Sequence, residues 1–360
     1  MPRTRKADTS PEFEVRHVRP SDSTALNEMT GFAASHETPS PFQSGAIVEV
    51  YSKTRGCKPI AFMAADAEKK TIAALASTVF MDAGPVVVKL VSHAVCRGGP
   101  LFKPTKRGMM AGEASLMRLL ESVKGECLYT RVYPLLENRD QISVLSHLGF
   151  SREDWLNYMI DLTKGKQATW DGMSKHRRKG IRRAEQLGLD MVEVSTMDDL
   201  DTMYQILVAT HEAAKIPLQD KSLFEALHRI MVPKGLAKMV MAYEGGAPVA
   251  SRVVLTFSGI IYDWYAGSVE SREEVNANEF LVWQLLRAPN HTWTFYGEVL
   301  PGAMGVLVLA AVIPGVLEMV RHSGLADRLG RERMLFNARA AIERYQALLA
   351  AERGTPPAVS

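Results

Sequence analysis

Two stretches of the chain swing from a glycine and proline turn into an apolar run, break on polar or glycine-containing residues, and return as a second apolar run. They are GCKPIAFMAADAEKKTIAALAS, residues 56–77, and GGAPVASRVVLTFSGIIYDWYAGS, residues 245–268. Both fit the pattern GxxP[IV]A, and each predicts a β-hairpin. After each comes an apolar spacing of helical period, at 109–123 and 278–288. The pattern then predicts a strand at 127–135, a helix at 138–150 and a strand at 155–162. A second series follows, with a basic helix, a strand at 190–195, helices at 197–214 and 222–232, and a strand at 237–244 that leads into the second hairpin. This internal repeat predicts two similar α+β units, 13–163 and 164–298, joined near residues 161–170.

A length of 360 residues with 46% hydrophobic and 23% charged positions suits two globular domains. The formal net charge is only +3, which makes the chain's one dense basic stretch a local feature. Residues Ser174 to Arg183 hold six Lys or Arg and one His. As a helix they set Lys175, Arg178 and Arg182 on one stripe, with Lys179 and Arg183 beside it; Met173, Ile181, Ala184 and Leu187 mark the opposite side, and Gly188 is the expected stop. Arginine suits phosphate because its planar fork holds two oxygens and stays charged. A solvated helix face is the other reading of the same pattern. A helix reading DNA bases is disfavoured, since the stripe has cations but no Asn or Gln; backbone contact with a tRNA stays open. Cys57, Cys96 and Cys127 are widely spaced, with no CxxC, so neither a disulfide framework nor a zinc site is indicated. Residues 1–12 read as a disordered tail without a secretory signal, so a cytoplasmic location is expected.

The order PFQS, RGGPLF, RVYPLLENRD, LGF, IDL, W…MSKHRRKGIRRAEQLGL, YEGGAPVAS and WYAGS…NEFLVWQLL, over about residues 13–290, resembles the FemA/FemB/FemX family. The resemblance implies two tandem GNAT-like domains, each a mixed central sheet flanked by helices, and an acyltransferase forming an amide on an amine. It further implies aminoacyl-tRNA as donor and a peptidoglycan-type cell-envelope precursor, nucleotide- or lipid-linked, as acceptor. No bound cofactor and no metal are expected; the donor is aminoacyl-tRNA or acyl-CoA. The basic stretch is similar to the segment that holds anionic substrate in that family, so Lys175, Arg178, Arg182 and Arg183 are candidate contacts for a precursor pyrophosphate or the tRNA acceptor end. The glycine-rich loop of acetyl-CoA-binding GNAT domains is replaced after WYAGS by VESREEVNANEF, which has no glycine and argues against ordinary CoA binding there. Strict alternation along the second hairpin sends Tyr262, Trp264 and Ala266 one way and Asp263, Tyr265 and Gly267 the other. Tyr265 or Asp263 is the expected proton relay. Arg252 and Ser268 are further substrate contacts, and so is Lys53, which follows the loop containing Gln43 and Ser44. Asn278 reads equally well as a helix cap. An acyl-CoA-dependent N-acyltransferase and a non-catalytic phosphate- or tRNA-binding protein are the alternatives.

Two departures from the family stand out. Residues 215–238 are too few for the long helical arm that some members carry. At the other end, the strands expected after residue 288 are not legible, and Val299 to Leu317 run nineteen residues without a charge. That length approaches a bilayer span, but two prolines and three glycines weaken it as one straight helix. Association with the inner membrane surface, or burial, is expected rather than a span, with a helical tail over 321–360.

Overall fold

The computed structural model describes residues 13–81, 92–135, 138–152, 157–269, 276–287 and 294–298. The first half runs β1 (Phe13–Val18), α1 (Ser23–Ser35), α2 (Gly45–Ser52), β2 (Cys57–Asp66), β3 (Thr71–Phe80), β4 (His93–Arg97), a two-residue β5 (Leu101–Phe102), α3 (Lys106–Val123), β6 (Tyr129–Tyr133), α4 (Arg139–His147) and β7 (Asn157–Asp161). The second runs α5 (Gly165–Gly172), α6 (Lys175–Gln186), β8 (Asp190–Glu193), α7 (Met197–Ala214), α8 (Lys221–Ile230), β9 (Ala237–Glu244), β10 (Ala247–Phe257), β11 (Ile260–Ser268), α9 (Ala277–Arg287) and β12 (Thr294–Glu298). Among these, no helix is long and apolar enough to cross a membrane. The uncharged run at 299–317 and the tail at 321–360 lie outside the described residues.

Local chemistry accounts for the boundaries. Two-residue turns with both φ positive, Gly245–Gly246 and Ser258–Gly259, join β9 to β10 and β10 to β11, matching the twist of the strands they connect. Ser44, Ser174 and Thr196 accept backbone N–H groups at the starts of α2, α6 and α7, and Asp199 completes a capping box on α7. Gly188, at φ +73°, follows α6 as expected.

The elements form two mixed six-stranded sheets. One has the order β1-β2-β3-β4-β6, with β5 beside β3; the other is β8-β9-β10-β11-β12-β7. In each, four antiparallel strands lead to a parallel pair, β4 with β6 and β11 with β12, joined through α3 or α9. The two-fold pattern expected from the sequence is therefore present, but its register differs. The hairpin at 56–77 holds the second and third places of its sheet, whereas the one at 245–268 holds the third and fourth. Any hairpin that opens on Gly and Pro and runs apolar carries the same pattern, so self-similarity could not say which rung it had matched. A second correction concerns β7. The strand expected to close the first unit pairs antiparallel with β12 in the second sheet, from Asp161 opposite Thr294 to Asn157 opposite Glu298. The strand β12 itself was not legible after the helix at 278–288.

All these elements lie in one unit, Met1–Val299. One buried cluster draws on both halves, with Phe42, Ile47, Val50 and Tyr51 from the first and Leu200, Phe224, Met241 and Tyr262 from the second. Hydrogen bonds rim it: the Tyr262 hydroxyl donates to Pro39 O at 2.6 Å, Ser258 Oγ to Ala34 O at 2.9 Å, and Arg55 N–H to Ser222 Oγ at 2.8 Å. Within the first half α1 and α2 cross so closely that a Cβ on Gly45 would lie 2.1 Å from Leu26 O.

Gln43 fixes this frame to the sheet. Its fully buried carboxamide donates to Ala76 O at 2.9 Å and Arg97 O at 2.7 Å and accepts from Ala76 N–H at 2.8 Å, joining β3 to the end of β4. Gln43→Leu would leave those three backbone groups buried without partners. The expected loss is about 3 kcal/mol or more in urea unfolding; a loss below about 1 kcal/mol would mean the carboxamide is not the link between these strands.

Candidate active site

The ladder between β11 and β12 begins at Ile260 opposite Thr294 and ends at Asp263 opposite Gly297. From Trp264 to Ser268, β11 has only β10 beside it among the described residues, so the described sheet forks at Asp263. At the same point β11 bulges. Val253 lies opposite Tyr265 and Val254 opposite Asp263, which leaves Trp264 as the extra residue.

The bulge overturns the expected alternation. Asp263 keeps the face of Val254 and Ile261, under α6 and α9. Trp264 and Tyr265 both pack on the other face, with the cluster shared by the two halves. Trp264 meets Phe42 of the first half at 5.2 Å between ring centroids, and Tyr265 lies 5.0 Å from Phe224 and 6.1 Å from His211. The two residues expected to serve as proton relay thus occupy opposite faces of one strand.

Asp263 is instead joined to Arg252, on β10. The Arg252 Nη1 and Asp263 Oδ2 atoms form a hydrogen-bonded ion pair with side chains only 7% and 18% exposed. Arg252 Nη2 also donates to Asn278 Oδ1, at 3.3 Å on the first turn of α9. The cap of α9 is Asn276, which accepts Glu279 N–H at 3.1 Å, so Asn278 is not the cap but a ligand of the guanidinium. Burial pushes the Asp263 carboxyl above the usual carboxylate range, and Arg252 pulls it back in part. Asp263 Oδ1 and Arg252 Nε are buried with no hydrogen-bond partner among the described residues. A buried charge pair with two of its own polar atoms unsatisfied is costly, and such groups cluster at functional sites.

Helix α6 lies over this face. Ile181 and Ala184 are buried against Trp283 and Phe280 of α9, while Leu187 at the end is 39% exposed. Arg177 reaches Glu279 at 3.7 Å and Arg287 pairs with Glu185 at 3.0 Å. Of the expected phosphate contacts, Arg178 is half-buried and pairs with Asp171 of α5 at 3.7 Å, and Arg182 covers the Trp170 ring at 5.4 Å. Lys175, Lys179 and Arg183 are exposed along the helix. Ser268 ends β11 with its N–H on Thr210 Oγ1 at 2.9 Å. Lys53 is exposed at the C-terminal cap of α2, apart from this group. The residues brought together are therefore Arg252, Asp263 and Asn278 within the fork and the cationic stripe of α6 outside it. No group of His, Cys, Asp and Glu among the described residues is arranged to hold a metal ion.

Residues 173–290 match the family described as an acetyltransferase (GNAT) domain. Among solved structures, the chain resembles FemX at 13% identity and a TM-score of 0.58, with 85% of this chain and 92% of that one covered. It also resembles a tandem GNAT protein from the clavulanic acid biosynthesis pathway, at 13% identity and 0.51, covering 81% and 92%. A conserved protein of unknown function from Bacteroides thetaiotaomicron matches at 11% identity and 0.51, covering 85% and 94%. No curated protein matches in sequence. With its paired sheets, its bulged strand and its forked parallel pair, the chain has a tandem GNAT fold, and residues 173–290 match a GNAT acetyltransferase domain.

Proposed function

We propose that this protein transfers an aminoacyl group from aminoacyl-tRNA to an amine of a peptidoglycan-type cell-envelope precursor, and that the fork at Asp263 is where the amide forms. The observation that carries this reading is the buried Asp263 carboxyl, held by Arg252 through one oxygen, with the other without a partner among the described residues. The amine nitrogen attacks the acyl carbonyl carbon, the C–N bond forms, and the ester C–O bond to the tRNA ribose breaks. Asp263 takes the proton that the amine loses and returns it to the departing ribose oxygen. A carboxyl raised by burial is a stronger base than an exposed one, and Arg252 favours its ionised form. The outer edge of β11 beyond Asp263, with no strand beside it among the described residues, offers peptide N–H groups to the developing oxyanion. Lys175, Lys179 and Arg183, with Arg178 and Arg182 beside them, hold donor phosphates along α6.

Incubation with charged tRNAs and, separately, with acyl-CoAs, each beside nucleotide-linked and lipid-linked amine acceptors, tests the donor. Amide formation from charged tRNA is the expected result. Formation from acyl-CoA alone would move the protein to another donor class, and background turnover with every donor would leave a binding protein. Replacing Lys175, Lys179 and Arg183 together by Gln should reduce the salt dependence of tRNA binding, lowering the slope of log K against log salt by about 2. An unchanged slope would remove α6 from the donor site.

The ion pair separates chemistry from stability. Asp263→Ala leaves Arg252 buried without its counter-charge, with an expected cost of about 3–5 kcal/mol, whereas the double variant Arg252→Met with Asp263→Leu should recover most of it. Transfer by the double variant should still fall by roughly 10²-fold or more. A double variant that is both stable and active would give the pair a structural role only. Because the folded carboxyl is raised, the stability it contributes is present at acid pH and lost as pH climbs through its folded value; Asp263→Asn should flatten that limb of the stability profile.

A further inference from the structure

The short helix α5 lies against the inner cations of α6. None of its residues is buried, and no side chain caps its start. Its two ends are fixed: Leu162, just before it, is buried in the cluster under α6 and α9, and Met173, just after it, packs against the same cluster. Between those anchors Trp170 lies 4.7 Å from the buried Trp283 of α9, measured between ring centroids, and Lys166 Nζ is 5.9 Å from the Trp283 ring. From α6, Arg182 covers the Trp170 ring at 5.4 Å, and Arg178 Nη1 meets Asp171 Oδ1 at 3.7 Å. The other Asp171 oxygen accepts from Gln167 Nε2 at 3.0 Å, within α5 itself. The Asp171 side chain is 59% exposed and that of Arg178 30%, a depth at which an ion pair contributes little to stability. These contacts lie on the face of the second sheet that carries Asp263, and Trp283 shares α9 with Asn278.

We propose that α5 is a strap that fills the inner anion positions of α6 in the absence of donor, with Asp171 standing on Arg178 where a phosphate of the RNA chain binds and leaving it when that phosphate arrives. The proposal rests on the reading that α6 holds donor phosphates. Asp171 reaches Arg178 through a single oxygen, whereas a phosphate diester presents two non-bridging oxygens to the guanidinium fork, so the exchange favours the phosphate. Arg182 follows Arg178 by one helical turn on the same stripe, and a chain of phosphates along α6 draws it off Trp170 as well. The strap therefore loses its two contacts to α6 together, while Leu162 and Met173 hold its ends in place. The outer cations Lys175, Lys179 and Arg183 meet the RNA first, and the inner pair joins them only after α5 gives way. An RNA that engages the outer cations alone leaves the strap closed, which makes Asp171 and Trp170 determinants of which anions dock fully beside the fork.

Titration of the full chain with a short single-stranded RNA oligonucleotide, followed by anisotropy and by tryptophan emission, tests the strap. Asp171→Asn should tighten RNA binding at least threefold more than Glu185→Gln, a control that removes an equal charge from α6 itself without touching α5. RNA should also change the tryptophan emission, and Trp170→Phe should abolish that change while still binding. Inorganic pyrophosphate at saturation, which has no base to quench an indole, should give the same Trp170-dependent change with weaker affinity. All three substituted side chains are exposed or half-buried, and melting curves verify that each variant folds. Equal effects of Asp171→Asn and Glu185→Gln, weaker binding by Asp171→Asn, or binding with no Trp170-dependent change would overturn the proposal. Pyrophosphate binding as tightly as RNA would overturn the assignment of the displacing phosphate to an RNA chain. Amide formation from charged tRNA with Asp171→Asn no different from Glu185→Gln would remove the strap and keep the transferase; absence of RNA binding by wild type and variants alike would remove the strap and the donor role of α6 together.

Discussion

The apolar seam between the halves is the constraint on which the rest depends. The helices α2 and α8, one from each half, pack together, and Phe42, Tyr51, Phe224 and Tyr262 fill one cluster. Burial of large aromatic side chains is the dominant favourable term at such a junction. Hydrogen bonds from Tyr262 to Pro39 and from Ser258 to Ala34 then fix its register. With the seam fixed, Trp264 of one half stands against Phe42 of the other. Arg252, Asp263 and Asn278 meet on the other face of β11, within the second half, so the seam sets where β11 runs and the second sheet supplies the site.

Much of the fold was legible in the periodicity. The hairpins, the helices at 109–123 and 197–214, and the basic helix with its buried Ile181 and Ala184 stand where the spacing of apolar residues put them. What periodicity lacks is pairing. A run such as 155–162 reads as a strand, but nothing along it names β12 as its neighbour. The same gap explains the hairpin repeat that matched one rung out of place, and the bulge at Trp264. One inserted residue reverses every assignment of face beyond it. Strict alternation therefore grouped Tyr265 with Asp263, although the two lie on opposite sides. Asn278 was ambiguous for a different reason, since an asparagine near a helix start has the same sequence signature whether it caps the helix or holds a buried guanidinium on the strand below.

The charges divide by depth. Arg252 is almost wholly enclosed and has two oxygen partners in Asp263 and Asn278, so its charge is spent on geometry within the fork. Arg178, half-buried, and Arg182, exposed, are tied to the short helix α5 through Asp171 and Trp170. The exposed Lys175, Lys179 and Arg183 lie outermost, where water and salt screen them. A run of like charges in the sequence is thus three kinds of interaction in the fold.

The placement of β7 bears on how the chain is made and divided. Translation produces this strand more than a hundred residues before β12, its partner, so the pairing cannot form until the sheet it completes has been synthesised. A gene cut after residue 163, where the sequence suggests a joint, would strand β7 on the wrong fragment and leave the outer edge of β12 open to whatever extended peptide it met. Two domains that resemble each other this closely are still not two modules: recombination can exchange them only with the borrowed strand attached.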